Sequence, residues 1–182
     1  YRLLAGDFIR SKLKINPEKI SFVETHHLAH AYTAFYPSGF NEAAVVIIDG
    51  LGSENQTHSI YSANRETGIK LLYEQKGTGI GTLYTTITKI LGFESGEEGK
   101  TMGLAPYGKD CIKQDAAIPS FEGVYNGFST DYSRQMRRSP DRALRIQLKQ
   151  CTNKKDIYEP YFTRMAYNLQ KETEKCLVHL VK

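Results

Sequence analysis

Apolar positions open the chain in a helical rhythm. In "YRLLAGDFIRSKLKI", Leu3, Leu4, Phe8, Ile9 and Leu13 recur at spacings near three and four with basic residues between them, which predicts an amphipathic helix closed before Pro17. "KISFVET" then reads as a short buried strand. Thr25 is placed to cap a second helix, "HHLAHAYTAFY", which Pro37, Ser38 and Gly39 end. "NEAAVVIIDG" carries an uninterrupted apolar run bounded by polar and glycine signals, the pattern of a strand at the centre of a sheet covered on both faces. After the "DGLGSEN" turn, "QTHSIYSA" and "GIKLLYEQ" predict two more strands joined through "NRETG", completing a three-stranded meander. "IGTLYTTITKILGF" returns to helical spacing through Leu83, Ile87, Ile90 and Leu91, with Gly92 as its C-cap.

Apolar density falls from about residue 108 to 155, which predicts an excursion on the surface with one short helix around "DRALRIQLKQ". The last stretch aligns Ile157, Tyr161, Met165, Leu169, Cys176 and Leu180 on one face of a long core helix, with Pro160 in its first turn. The sequence therefore predicts an α/β domain with helices on both faces of its sheet. It divides into a core over 1–107, the excursion over 108–155 and the long helix over 156–182, with no internal repeat.

Composition narrows the class. Hydrophobic residues at 40% and aromatics at 11% are those of a folded globule rather than a disordered chain. A net charge of +4 suits an anionic ligand such as a nucleotide but falls short of a nucleic-acid footprint. Cys111, Cys151 and Cys176 are odd in number and form no CxxC pair, so a disulfide framework and a zinc ribbon are not expected and a reducing, cytoplasmic setting is. The longest apolar run, "AAVVII", is too short to span a bilayer, and no secretory signal is apparent. Because the chain begins with Tyr1, it is expected to be a piece of a longer protein.

The chemistry concentrates in "THHLAH". His26 and His30 are four residues apart, so on a helix they share a face and can share a divalent metal, while His27 points away. The pair also reads as ordinary histidines at a helix start. Asp49 closes the apolar strand, where a carboxylate needs a cation or donors around it. Two imidazoles and one carboxylate with open positions suit iron, zinc or manganese. Gly50 and Gly52 behind Asp49 would let backbone amides approach a ligand, although "DGLG" also reads as a plain hairpin turn.

Three consecutive stretches, "HHLAHAYTAFYPSGF", "AAVVIIDGLG" and "GTLYTTITKILGFESGEEGKTMGLAPYG", resemble the nodulation-protein and antibiotic-tailoring O-carbamoyltransferases, from about residue 20 to 109 and weakly through the terminal helix. The resemblance implies part of a metal-binding, actin-like ATPase (RNase-H-like) domain with a mixed sheet, akin to that of the tRNA threonylcarbamoyltransferases. It places the family's metal ligands on His26, His30 and Asp49, with iron as the implied metal. It further implies that carbamoyl phosphate and ATP form carbamoyladenylate, from which the carbamoyl group passes to a hydroxyl of a small molecule. Gly50, Gly52, Gly77, Gly79 and Gly81 would present amides to phosphate, Lys100 would neutralise it, and Glu98 or Glu97 would orient it or the acceptor. "ESGEEGK" is equally a solvated helix start, the preferred reading for Glu97. Where the family often has an acidic residue directly after DGxG, this chain has Ser53, with Glu54 one place later. The N-terminal nucleotide-fold segment, the later phosphate loop, a further aspartate ligand and the carbamoyladenylate-forming domain are expected in the rest of the full-length chain, and these 182 residues alone are expected to be inactive.

The sister chemistries, tRNA threonylcarbamoyl transfer and carbamoyl transfer in hydrogenase maturation, fit "GEEGKTMGLAPYG" less well. A non-enzymatic scaffold that pairs as a homodimer is the remaining alternative. Arg134, Arg137, Arg138, Arg142 and Arg145, with Tyr125, Phe128 and Tyr132 upstream, read as a solvated surface rather than a nucleic-acid site. Tyr158, Tyr161 and Tyr167 read as core packing, and His58 and His179 as structural.

Overall fold

Thr25 starts the helix that carries the histidines. Its backbone is extended and its Oγ1 accepts the Leu28 amide at 3.2 Å, so α2 (His26–Phe35) begins where the sequence places it. A 3-10 turn, Tyr36–Ser38, and Gly39 at φ 82° end it. The computed structural model describes residues 2–124, 126–128 and 148–182. The first helix, α1 (Arg2–Leu13), forms as expected. "KISFVET" forms no strand: residues 20–23 are irregular and Phe22 and Val23 are exposed. A β-branched and aromatic run is only a tendency to fit a pleated surface, and among the described residues this one joins neither sheet.

The sheet is antiparallel in the order β1 (Glu42–Ile48), β2 (Gln56–Asn64), β3 (Gly68–Lys76), with Val46 opposite Ile60 and Ile48 opposite His58. It is a meander as expected. Among the described residues it is not mixed, because both connections are too short to carry a crossover. Nor does β1 lie at the centre: in the order of the described strands it stands at the edge. Its run is apolar throughout because helices cover both of its faces. Val45 and Ile47 join Tyr61 and Ala63 under Ala31 and Phe35 of α2, while Val46 and Ile48 pack with Ile60 against the second core. A residue pattern reports which faces are buried, not which edges are paired.

That second core gathers α3 (Ile80–Ile90), α4 (Glu98–Leu104), a small hairpin of β4 (Phe121–Gly123) and β5 (Gly127–Phe128), and α5 (Pro160–Leu180). Leu83, Ile87 and Ile90 of α3 meet Phe162, Met165, Ala166 and Leu169 of α5, all essentially inaccessible to solvent. Pro160 opens α5, where its missing N–H costs nothing. Ile157, Met165, Leu169, Cys176 and Leu180 are buried as the sequence predicts, and Tyr161 and Tyr167 are half-buried. Tyr158 is not core: it is 66% exposed and stands edge-on to Tyr107. Within the 108–155 stretch, Ala116, Phe121, Phe128 and Cys151 are buried in the α5 core. Most of "DRALRIQLKQ", with the arginine cluster, Tyr125 and Tyr132, lies outside the described residues. Among the described residues, no helix is long and apolar enough to cross a membrane.

Candidate metal centre

Three side chains from three places hold the amino end of α2. The His26 amide donates to Ser53 Oγ at 2.9 Å, the His27 amide to Gln56 Oε1 at 3.5 Å, and the Leu28 amide to Thr25. The orphan donors of a helix start are thus satisfied by its own cap, by the loop after β1 and by the first residue of β2. This docks α2 onto the loop that leaves Asp49.

The docking brings together the three residues the sequence singled out. His26 Nε2 lies 2.8 Å from Asp49 Oδ2 and 2.9 Å from His30 Nε2, and His30 Nε2 lies 3.9 Å from the same Asp49 oxygen. All three ligand atoms fall within 4.8 Å of one another. A tetrahedral ion with bonds of about 2.0–2.1 Å would space its ligands roughly 3.3 Å apart, so small rotations convert this cluster into a coordination shell. The donor set argues for the same ion. His26 Nε2 faces a carboxylate oxygen and an imidazole nitrogen at once, and a single ring proton serves only one of them well, whereas a shared cation would satisfy all three atoms. The side chains of His26, His30 and Asp49 are 46%, 51% and 31% exposed, leaving room for further ligands from solvent or substrate.

Electrostatics around the cluster favour an ionised carboxylate. Burial pushes the Asp49 carboxyl up, but the Gly50 amide, which donates to Oδ1 at 2.6 Å, and the neighbouring His26 outweigh it, and the net pKa is lowered. His27 is fully buried on the other side of α2, with Nδ1 at 2.7 Å from Ser59 Oγ. Its Nε2 has no partner among the described residues, and burial lowers its pKa. His58 is fully buried too, and desolvation pushes it down to about 4.

The glycines sit at close approaches. A β-carbon on Gly52 would stand 3.0 Å from His27 Nε2 and 3.2 Å from His26 Cδ2; on Gly79 it would meet Thr57 at 2.5 Å; on Gly81 it would meet the Asp49 carbonyl oxygen at 2.8 Å. The amides of Gly50 and Gly52 donate internally, to Asp49 Oδ1 and to the Gln56 carbonyl at 2.7 Å, and that of Gly77 donates to the Asn55 carbonyl. In the first turn of α3, the amides of Gly81 and Thr82 have no acceptor among the described residues. Thr82 Oγ1 donates to the Gly50 carbonyl at 2.6 Å, which joins that turn to the Asp49 loop.

Glu98 and Lys100 lie on α4. Glu98 accepts from Thr85 Oγ1 of α3 at 2.7 Å, an interaction that lowers its pKa, and Lys100 is ion-paired with Glu97. Beside the histidine–aspartate group, a groove of about 410 Å³ runs along β1, lined by His30, Thr33, Ala34, Val46 and Asp49 among others. The sequence did not mark Ser53 and Gln56 as supports of α2: they stand 27 and 29 residues from the amides they hold, and no local spacing reveals such a pair.

Comparison with known proteins assigns the chain to a class. It belongs to the family described as Carbamoyltransferase N-terminus, whose model matches residues 2–175. It is 29% identical over 181 residues to the nodulation protein NolNO of Sinorhizobium fredii, a match covering 99% of this chain and 25% of that protein. It is 36% identical over 84 residues to the nodulation protein NolO of Bradyrhizobium diazoefficiens, covering 46% of this chain and 15% of that one. A Synechocystis protein bearing the name Uncharacterized protein sll1178 is 41% identical over 85 residues, covering 46% of this chain and 14% of its own length. The chain thus spans at most about a quarter of the length of these relatives.

Proposed function

We propose that this chain is the metal-bearing part of an ATP-dependent O-carbamoyltransferase of actin-like (RNase-H-like) fold, working in the cytoplasm as part of a longer protein. The observation that carries the reading is the convergence of His26, His30 and Asp49 at the mouth of two glycine loops, in a chain of the carbamoyltransferase family. Carbamoyl phosphate and ATP would supply carbamoyladenylate through the remainder of the protein, and a small-molecule hydroxyl would accept the group. In the transfer the hydroxyl oxygen bonds to the carbamoyl carbon, the bond from that carbon to the adenylate phosphate oxygen breaks, AMP departs and the hydroxyl proton is released.

His26, His30 and Asp49 would hold a divalent ion, iron by family resemblance or zinc or manganese by ligand type, and that ion would supply Lewis-acid stabilisation of the carbamoyl oxygen. The chain's own residues do the positioning. The carboxylate of Asp49, kept ionised by the Gly50 amide, orients the His26 ring; Ser53 and Gln56 fix the helix that presents both imidazoles. Gly81 allows α3 to approach the Asp49 loop and Gly79 lets the start of α3 pack on Thr57 of β2, and the open amides of Gly81 and Thr82 face a helix-terminal field suited to phosphate. Gly50 and Gly52 shape the loop that phosphate would lie against. Lys100 would reach phosphate by exchanging its surface pair with Glu97, which costs little. Glu98, fixed to Thr85, would orient the ligand.

The test is transfer by the purified longer protein. ATP consumption dependent on carbamoyl phosphate, with carbamoylation of a hydroxyl compound, is expected, and His26→Ala or Asp49→Asn should abolish transfer and metal content together. Transfer that survives complete metal removal would overturn the reading.

A further inference from the structure

His58, on β2, is the second fully buried histidine after His27 and has no part in the histidine–aspartate group. Its Nε2 accepts the Ile80 amide at 3.1 Å, which is the first residue of α3. That bond fixes the tautomer: Nδ1 carries the proton and donates to Gln75 Oε1 at 3.2 Å. Gln75 in turn donates through Nε2 to the Thr78 carbonyl at 2.5 Å. The segment from Thr78 to Ile80 is therefore held at both ends by one hydrogen-bonded pair of side chains. Beyond it, the same segment presses on the metal-bearing loop, with Gly81 against the Asp49 carbonyl and Thr82 bonded to the Gly50 carbonyl. Only a neutral imidazole offers an acceptor to Ile80, and desolvation keeps this one neutral.

We propose that His58 is a positioning residue for the nucleotide-facing loop: through its bond to Ile80, and through Gln75 to Thr78, it sets the amino end of α3 against the Asp49–Gly50 turn. The phosphate-side consequence rests on the reading given under Proposed function; the positioning itself does not. Glutamine at 58 keeps a carbonyl acceptor for the Ile80 amide, whereas leucine fills the space and offers none.

The experiment compares His58→Leu and His58→Gln in the full-length protein, reading amide hydrogen exchange over residues 78–82, ATP affinity by calorimetry and metal content. Leucine is expected to speed exchange in 78–82 about tenfold or more and to weaken ATP binding by about tenfold, with metal content unchanged; glutamine should return both to within about threefold of wild type. Unchanged exchange in 78–82 with leucine overturns the proposal, as does a uniform rise across the domain that glutamine fails to correct. Should wild type bind no ATP, the nucleotide reading fails, and the exchange comparison still decides the role of His58. If the leucine variant does not fold, Gln75→Met at the half-buried partner takes its place, with the same local exchange pattern expected and its absence contradicting the proposal.

Discussion

The backbone amide of His26 donates to Ser53 Oγ at 2.9 Å, tying the first residue of α2 to the loop that leaves Asp49. The bond spans the two halves of the histidine–aspartate group, so the hydroxyl serves both as a helix cap and as a spacer between the candidate ligands. Ser53→Ala should lower unfolding free energy by about 1 kcal/mol, the usual cost of losing a cap. It should also weaken metal binding by about tenfold, the lower range for groups that support ligands. Competition titration with a metal chelator, beside denaturant unfolding of the same variant, separates the two effects.

Gly52 makes a steric statement of the same kind. Its φ of −83° is open to any residue, so glycine is required for space rather than for backbone freedom. Gly52→Ala should push against the His27 and His26 rings, destabilise by roughly 1–3 kcal/mol and loosen the metal. Gly99 in α4 is the control. Nothing lies within 4 Å of its added β-carbon, and Gly99→Ala should stabilise the protein by about 0.5–1 kcal/mol. Thermal unfolding of both variants reads the contrast.

The buried His58 gives stability a pH dependence. In the unfolded chain its imidazole takes a proton near its ordinary value of 6.5, while in the folded protein it refuses one until about pH 4. The folded pKa is the lower one, so its contribution is complete above 6.5 and is lost as pH falls toward 4. Between pH 7.5 and pH 5 the loss should reach roughly 2 kcal/mol. Carboxylates titrate in the wild type and in His58→Gln alike, so the difference between their denaturation curves isolates the imidazole. A difference that stays constant with pH would contradict the assignment.

What the sequence revealed and what it concealed divide along the range of the interactions. Thr25, the HxxxH spacing and the Gly39 stop are local, and α2 forms as read from them. The three metal-ligand candidates were legible because two share a helix face and the third ends a strand. The position of β1 at the sheet edge was not, since "AAVVII" buries both faces under helices whether or not another strand adjoins it. "KISFVET" misled because strand-favouring residues need a partner strand, and Phe22 and Val23 are left exposed. Tyr158 misled for a related reason. It lies in the 3-10 turn before α5, one place after the buried Ile157, and its ring stands outward, edge-on to Tyr107. Ser53, Gln56 and His58 act across 22 to 29 residues, and only the fold reveals them.

Anomalous scattering from crystals of the full-length protein, collected at the absorption edge of the metal it carries, is the most direct measurement. A single peak about 2.0–2.2 Å from His26 Nε2, His30 Nε2 and an Asp49 oxygen is the expected result. A protein that carries metal with its peak bound elsewhere, or with any of these three side chains turned away from it, would contradict the metal centre.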